Sequence, residues 1–481
     1  LEKYHLSRAC IDHFMTDLLV SINRSSNVPL RRQLEHELRH AIRTGRLGAG
    51  AALPSTRSLA TDLELSRGSV VEAYEQLTAE GYLTSVPGSA TRVAARQPEI
   101  TASASTPAIA FSPRHDFRPG LPDLSLFPRQ AWLACMRRVL NADSDVFDYP
   151  DPSGALSLRA ALASYLNRAR ATVAHADRII VCGGVSQGFD LICRVLRDSG
   201  ARSVAVEDPA PSIQSARIQA AGLVAQRVPV DAEGIVVDRL NRIDANAVLV
   251  TPAHQFPYGV VLSPQRRAAL LDWATRREAL IIEDDYDAEY RYDREPIGAM
   301  QGLAPDRVLY MGTASKTLAP ALRLGWLLAP ADLVATLKQA KLISDRGSPG
   351  LEQAAFAELL ERGDMDRHLR RTRLIYRRRR DAMVAALNTY LPDVHIHGVA
   401  AGLHVLIELW QGIDELALVQ AAKEQSIRVE AASAYLTRPR TSPPSLLLGY
   451  SSLSEESIPK AVKALASVVA QFSARRGRRR A

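Results

Sequence analysis

The chain has 481 residues, of which 23% are charged and 47% are hydrophobic, and its formal net charge at pH 7 is +8. At about 150 residues per domain, this length predicts roughly three folded units, and the composition excludes a disordered chain or a membrane protein. The positive charge permits a nucleic-acid partner without requiring one.

The cysteines and the apolar runs argue against several classes of site. Cys10, Cys135, Cys182 and Cys193 form no C-x-x-C pair and have no histidine cluster nearby. We therefore expect neither a metal site nor a disulfide framework. No apolar run reaches about 18 residues, and no signal-peptide pattern is present. We expect a cytoplasmic, nucleoid-associated protein with no membrane partner.

The first part of the chain divides into an arm and a small helical domain. Residues 1–27 have a broken apolar pattern and are assigned to an N-terminal arm, and residues 28–94 to the domain that follows. One apolar helical face is predicted by residues spaced four apart, which are Leu30, Leu34, Leu38 and Ile42. Ser55 and Ser66 are expected to cap two short helices joined by a tight turn, which is a helix-turn-helix pattern.

The end of this domain resembles a wing. The stretch YLTSVPGSATRVA alternates in polarity and is interrupted by Pro87-Gly88, which predicts a two-stranded hairpin. Residues 95–116 are rich in Ala, Ser, Thr and Pro, and we predict an extended linker there.

The helix that begins after Ser66 is the candidate recognition helix. Arg67 and Ser69 lie in its first turn, where side chains reach base edges or phosphates in a major groove. Arg57, with the amides that start the preceding helix, is expected to hold a phosphate. Charge alone would favour solvated arginines, so the assignment depends on the pattern of the whole domain.

That pattern resembles the GntR-type winged helix domain. It consists of P-L-x-x-Q-L at 29–34, G-x-L at 45–47, L-P-S-x-R-x-L-A at 53–60, S-R-x-x-V at 66–70 and A-Y-x-x-L-x-x-E-G-Y at 73–82. The resemblance implies that the domain binds operator DNA as a pair, with Arg57, Ser66, Arg67 and Ser69 at the interface.

The rest of the chain predicts a large α/β domain over residues 117–474. Short apolar runs such as RIIVCGG, SVAVEDP, NAVLVTP and ALIIEDD alternate with helical stretches, which indicates a mostly parallel sheet with covering helices. A smaller α+β lobe is expected from about Gly347. Residues 475–481 form a basic tail, interpreted as a solvated end, with phosphate contacts as the alternative.

Three motifs in this domain carry chemistry. In MGTASKTLAPALRLG, residues 311–325, a lysine that can bond to an aldehyde lies close in sequence to hydroxyl groups and a cation that can bind a phosphate. These residues are Thr313, Ser315, Lys316 and Arg323. IIEDDYDAEY follows an apolar strand, so its acids lie at the carboxyl end of the sheet. CGGVSQG, residues 182–188, predicts a helix N-terminus able to bind phosphate.

With FRPGLPDLSLFPRQAW, YPDPSGALSLRAALASYL, TPAHQFPYG and RHLRRTRLIYRRRRD, these motifs resemble the fold-type I aminotransferases of the MocR/GabR regulator group. The resemblance implies pyridoxal 5'-phosphate bound covalently to Lys316. Asp284 would contact the ring nitrogen and Tyr286 the ring hydroxyl. The phosphate would be surrounded by Gly184, Val185, Ser186, Thr313 and Arg323, and reached by Tyr149 from the other subunit of a head-to-tail homodimer.

Three positions depart from the aminotransferase pattern. Pro211 occupies the place of a stacking aromatic, Leu447 that of the arginine that binds a substrate carboxylate, and Ile213 that of a further arginine in members that respond to GABA. Two readings stay open. The chain is a regulator whose domain senses a small-molecule effector, either an amine or pyridoxal phosphate itself, or it is an active aminotransferase with an accessory DNA-binding domain. The missing arginine favours the regulator.

Overall fold

The structure is a computed structural model that describes residues 20–86, 88–95, 111–142, 144–293, 297–398, 400–436 and 443–478. The chain forms two compact units, Leu1–Ala110 and Phe111–Ala481. Most of the predicted N-terminal arm and residues 96–110 of the predicted linker lie outside the described residues.

The described residues of the first unit form three helices and a hairpin. The elements are α1 (Leu30–Arg43), α2 (Thr56–Asp62), α3 (Arg67–Ala79), β1 (Leu83–Thr84) and β2 (Arg92–Val93), with β1 and β2 antiparallel. Both expected caps form, because Ser55 Oγ accepts from the amide of Ser58 and Ser66 Oγ accepts from the amide of Ser69, each at 3.1 Å. The winged helix-turn-helix architecture is confirmed.

The regularly spaced apolar residues of α1 form part of the core of this unit. Leu34 and Leu38 are fully buried, and they pack in one cluster with Val70 and Leu77 of α3. The hydroxyl of Tyr74 donates to the carbonyl of Pro54 at 3.0 Å, which ties α3 to the start of α2. Helix α3 is therefore fixed from its buried face, and its polar face is left outward.

The second unit is built on an eight-stranded sheet with the order β4-β11-β10-β9-β8-β5-β6-β7. Its strands are β4 (Ile179–Cys182), β5 (Ser203–Asp208), β6 (Val224–Asp231), β7 (Gly234–Ile235), β8 (Ala247–Val250), β9 (Leu280–Asp285), β10 (Val308–Thr313) and β11 (Gly325–Leu328). The run from β10 to β6 is parallel throughout, whereas β11 is antiparallel to both of its neighbours and β7 is antiparallel to β6. The predicted mostly parallel sheet is confirmed.

Helices cover both faces of this sheet. They are α4 (Arg129–Leu140), α5 (Leu156–Arg170), α6 (Val185–Asp198), α7 (Ser212–Ala220), α8 (Val237–Leu240), α9 (Pro264–Arg277), α10 (Ala331–Asp345) and α11 (Gly350–Glu361). Successive residues of β8 belong to hydrophobic cores on opposite faces of the sheet. Leu249 packs with Phe189 of α6, while Val248 packs with Trp273 of α9. This double coverage explains why these strands are continuous apolar runs in the sequence.

The expected smaller lobe contains α12 (Asp364–Tyr390), β12 (His395–His397), β13 (His404–Glu408), α13 (Glu415–Glu424), β14 (Ile427–Arg428), β15 (Glu430–Ala431), β16 (Ser445–Gly449) and α14 (Ser457–Arg478). Four of its strands form an antiparallel sheet with the order β12-β13-β16-β15. None of the helices in the described ranges combines the length and the apolar character that a bilayer span requires.

Two segments differ from the expected organisation. Within the stretch predicted as linker, β3 (His115–Asp116) pairs in parallel with β14, so the second unit already begins before residue 117. Two residues are too few to show alternation, and they are stabilised by the distant strand β14 and by a hydrogen bond from Ser452 Oγ to the carbonyl of Asp116. At the other end, the helical backbone of α14 continues to residue 478, into the segment interpreted as a solvated tail. Arginine is a good helix former, and three of the four residues 475–478 are arginines.

Candidate functional site

A cavity of about 510 Å³ opens at the carboxyl ends of β9 and β10, beside the start of α6. Eight of the predicted cofactor residues line it: Val185, Ser186, Asp284, Tyr286, Thr313, Ser315, Lys316 and Arg323. Three chain segments, 182–188, 280–287 and 311–325, meet here because parallel strands present their carboxyl ends at one edge of a sheet.

Lys316 follows β10 and directs its amine toward a backbone carbonyl. Its Nζ donates to the carbonyl oxygen of Gly120 at 2.7 Å. Burial lowers the pKa of Lys316, although the carboxylates of Asp287 and Asp284 act in the opposite direction. Gly120 has a φ of +67°, and a Cβ there would lie 2.9 Å from Nζ, so a side chain at residue 120 would displace the lysine amine. An amine that loses its proton readily is suited to bond with a carbonyl carbon.

Asp284 presents an unused carboxylate oxygen to the same cavity. Its Oδ1 is buried and has no hydrogen-bond partner among the described residues. Burial raises the pKa of Asp284 to about 7, the neighbouring Asp285 adds to this, and Lys316 opposes it. A buried acceptor without a donor is costly, so this position fits a ligand that brings an N–H group.

Tyr286 is held by a buried polar group behind it. Its hydroxyl donates to the backbone carbonyl of His254 at 3.1 Å and lies 3.2 Å from the Nδ1 atom of the same residue. That ring nitrogen also lies 2.9 Å from Oδ2 of Asp287. Burial raises the pKa of Tyr286 well above its usual value, so the side chain remains a phenol that can donate a hydrogen bond.

The start of α6 forms a cradle between glycine backbone and an arginine. Gly184 caps the helix with a φ of +92°, and a Cβ there would lie 2.8 Å from Nη2 of Arg323. Arg323 donates from Nη2 to the carbonyl of Gly183 at 2.6 Å. The first amides of a helix have no partner within it, so those of Val185 and Ser186 together with this guanidinium suit an anion.

Tyr149 does not line the cavity of its own chain. Its side chain is 76% exposed, and the guanidinium carbon of Arg346 lies 4.8 Å from its ring centre. The assignment of Tyr149 to a partner's phosphate therefore stays a prediction.

Several cavity residues were not identified from the sequence. Gly120, Arg217, Phe256, Glu430 and Tyr435 all line it. Each comes from a segment far from Lys316 in the chain. The signals available from the sequence were FRPGLPDLSLFPRQAW, which contains Gly120, and TPAHQFPYG, which contains Phe256.

The three departures from the aminotransferase pattern differ in their position relative to the cavity. Pro211 and Ile213 line the cavity, whereas Leu447 is fully buried in β16. Leu447 lies directly opposite Glu430 on β15. An apolar side chain at residue 447 offers no charge to a carboxylate.

In the first unit, the predicted DNA contacts lie at two helix starts. Arg57 in the first turn of α2 and Arg67 at the start of α3 are both exposed, and neither forms an ion pair with a described carboxylate. Ser66 and Ser69 hydrogen-bond through their hydroxyls at 2.8 Å, which closes the first turn of α3. Both guanidinium groups are therefore available to DNA.

Two protein families match the chain, each over one of the units. Residues 30–93 match the family described as bacterial regulatory proteins, gntR family, and residues 121–465 match aminotransferase class I and II. The two matches lie on either side of the boundary between the units.

Curated relatives share this two-part organisation over most of their length. The pyridoxine biosynthesis transcriptional regulator PdxR of Corynebacterium glutamicum is 35% identical over 82% of this chain and 86% of its own. The probable rhizopine catabolism regulatory protein MocR of Rhizobium meliloti is 32% identical over 93% of this chain and 95% of its own.

Solved structures match the second unit. An archaeal alanine:glyoxylate aminotransferase superposes with a TM-score of 0.69 at 28% identity, covering 74% of this chain and 91% of that one. The α-aminoadipate aminotransferase LysN from Thermus thermophilus, complexed with N-(5'-phosphopyridoxyl)-L-leucine, gives 0.68 at 25% identity, covering 75% and 92%. The chain therefore belongs to the aminotransferase class I and II family and, through its GntR-type domain, to the MocR/PdxR-type helix-turn-helix transcription regulators.

Proposed function

We propose that this regulator holds pyridoxal phosphate on Lys316 and that its affinity for operator DNA changes when a small amine, or the cofactor itself, binds at that site. The observation that carries the proposal is the pairing, in one cavity, of a lysine whose pKa is lowered by burial with an acid whose buried Oδ1 has no donor among the described residues. These are the two groups that a pyridoxal cofactor requires at opposite ends of its ring.

The residues of the cavity fit this cofactor part by part. Lys316 would hold it covalently, Asp284 would keep a proton on the ring nitrogen, and the phenol of Tyr286 would bind the ring oxygen. The phosphate would be bound by the start of α6 and by the side chains of Thr313, Ser315 and Arg323. When bound, the cofactor supplies an electrophilic carbon and an electron-withdrawing ring.

An active aminotransferase is the second candidate, and the position of Leu447 argues against it. A buried leucine cannot form the bidentate charged pair that orients an amino-acid carboxylate. Turnover of amino donors with 2-oxo acids at about 1 per second or more would support this second candidate, because such rates are ordinary for enzymes.

We further propose that the protein acts as a head-to-tail homodimer on two operator half-sites. GntR-type regulators bind operator DNA, and a pair of recognition helices reads two half-sites. Support for the subunit contact comes from Tyr149, which is exposed on the single chain although its segment matches the aminotransferase family.

The test uses the variant Lys316→Ala, with Lys338→Ala as a matched control. Lys338 is half exposed and pairs with Asp151 outside the cavity. We expect pyridoxal phosphate to give a visible absorption band with the parent protein and the control but not with Lys316→Ala. Operator affinity should change on cofactor or amine addition by at least about fivefold, a typical coupling energy of 1 kcal/mol or more. A band that is independent of Lys316, or an operator affinity that is the same in every state, would contradict the proposal.

A further inference from the structure

We propose that the effector is a diamine, an amine with a second ammonium group and no carboxylate, and that Glu430 binds this second ammonium. The inference rests on the proposed function, because it names the class of ligand taken by the cavity beside Lys316. Glu430 and Lys316 line the same cavity, one from the small lobe and the other from the end of β10.

The first argument is the position of Glu430. It pairs across the small-lobe sheet with Leu447, the residue that stands where aminotransferases carry the carboxylate-binding arginine. Side chains directly opposite on antiparallel strands lie about 5 Å apart at Cβ. The charge offered next to this position is therefore negative, and the ligand that it favours is a cation rather than a carboxylate.

The second argument is the surroundings of the carboxylate. The hydroxyl of Tyr435 donates to Oε2 of Glu430. The ring of Tyr435 meets that of Phe256 edge to face, with centres 5.0 Å apart, and both rings line the cavity. A carboxylate beside two aromatic rings is a favourable environment for an ammonium group, through a charge-assisted hydrogen bond and cation–π attraction.

The third argument is that the other charged side chains of the cavity already have partners of their own. Arg217 forms an ion pair with Asp190 and also donates to the carbonyl of Ser186 at 3.3 Å, at the start of α6. Arg323 is bonded to Gly183 at the same helix start. Among the described residues, no lysine or arginine nitrogen lies within ion-pair distance of Glu430. Within the described part of the chain, its negative charge is therefore not paired with a lysine or an arginine.

These arguments predict an order of affinity for ligands of equal length. A diamine gains an ion pair with Glu430, and a monoamine neither gains nor loses one. An amino acid places its carboxylate near Glu430, where no described arginine lies within ion-pair distance. Like charges in a cavity of low dielectric repel strongly, so the amino acid should bind worst.

The experiment titrates the cofactor-loaded, full-length protein with matched ligands. For each chain length from three to six carbons, the set contains the α,ω-diamine, the monoamine and the ω-amino acid. The readouts are the half-saturating concentration from the visible absorption change and the operator affinity. At the best length, we expect the diamine to half-saturate at a concentration at least about tenfold below that of the monoamine, with the amino acid weaker still.

The variant Glu430→Gln removes the charge and keeps the size of the side chain. We expect it to bring the tenfold ratio between monoamine and diamine close to one. The ratio is unaffected by a general weakening of the protein, since both ligands would weaken together. Glu424→Gln, an exposed change on α13, should leave the ratio at its parent value.

The outcomes separate the two proposals. If no Lys316-dependent band forms, the proposed function fails and this inference fails with it. If the band forms but the three ligand classes half-saturate alike, or the amino acids bind best, or pyridoxal phosphate alone is active, only the diamine inference is overturned. The same holds if Glu430→Gln leaves the ratio unchanged.

Discussion

Asp284 is a carboxylic acid whose environment in the absence of a ligand favours the neutral form. Burial and the adjacent Asp285 raise its pKa from the usual 3.8 to about 7, and its Oδ1 has no donor among the described residues. The folded chain therefore holds a proton between about pH 4 and pH 7 that the unfolded chain has released. Through this residue, stability falls as pH rises over that window and stays constant above it.

The substitution Asp284→Asn should separate stability from ligand binding. At pH 8, the cofactor-free variant should be more stable than the parent by on the order of a few kcal/mol, because a buried charge has been removed. The difference should vanish near pH 4, where the parent acid is neutral. Pyridoxal phosphate should bind the variant at least about tenfold more weakly, since the charge-assisted bond to the ring is lost.

Thermal unfolding at the two pH values and a cofactor titration measure both effects. An unchanged cofactor affinity would show that the ring nitrogen does not face Asp284. A stability difference that is equal at both pH values would contradict the pH window given by the raised pKa.

The residues of the cavity differ in how readily the sequence predicts them. Lys316, Thr313, Ser315 and Arg323 lie within one motif, so their chemistry can be inferred from their spacing. Gly120 lies 196 residues from the lysine that it binds, and only the fold brings the two together. Residues joined by folding alone leave no local pattern that an analysis of one sequence could detect.

At the scale of elements, helices with caps are the features that the sequence predicts best. Ser55 and Ser66 mark the starts of α2 and α3 because serine at these positions satisfies an amide that the helix cannot. The two-residue strand β3 depends on distant partners such as β14, and it falls in a stretch predicted as linker. The strength of a local signal thus decides which elements are predicted.

The start of α3 should govern operator recognition. We expect Arg67→Ala to weaken specific binding about tenfold or more and to relax sequence preference, because a base contact is worth about 1–3 kcal/mol. Arg57→Ala should weaken all DNA sequences alike and lower the slope of log affinity against log salt by about 1, as for the loss of one phosphate contact.

Fluorescence anisotropy on operator and unrelated duplexes, at several salt concentrations, measures these effects. Arg39→Ala is the control, because Arg39 forms a two-pronged ion pair with Glu80 just beyond the last turn of α3. Losses below twofold for both test variants, or an equal loss for the control, would remove these side chains from the interface.

At the scale of the whole molecule, apolar side chains exposed on the second unit suggest a covered surface. Tyr149 and Phe147 are 76% and 59% exposed, and Ile343, at the end of α10, is 74% exposed. Arg346, one turn after Ile343, packs on the ring of Tyr149. Apolar groups gathered in this way commonly mark a protein interface.

We expect Ile343→Asp to weaken the homodimer by about 2 kcal/mol or more, a roughly 30-fold higher dissociation constant, because a charge would be buried between subunits. Leu416→Asp, at a 68% exposed position on α13, is the matched control and should remain dimeric. Sedimentation equilibrium measures both. If Ile343→Asp dimerises like the control, the subunit contact lies elsewhere.

The contact between Lys316 and Gly120 bears on how a signal could leave the site. Gly120 lies four residues after β3, and β3 pairs with β14, two residues before Glu430. Phe111, which lies within the predicted linker and is the first described residue after position 95, is only nine positions before Gly120. When the lysine amine exchanges this carbonyl for a ligand, the freed peptide belongs to the segment that runs back through β3 toward the first unit. The covalent route from the cavity to the DNA-binding unit passes through this one stretch of chain, and its length can be changed by mutation without touching the cavity.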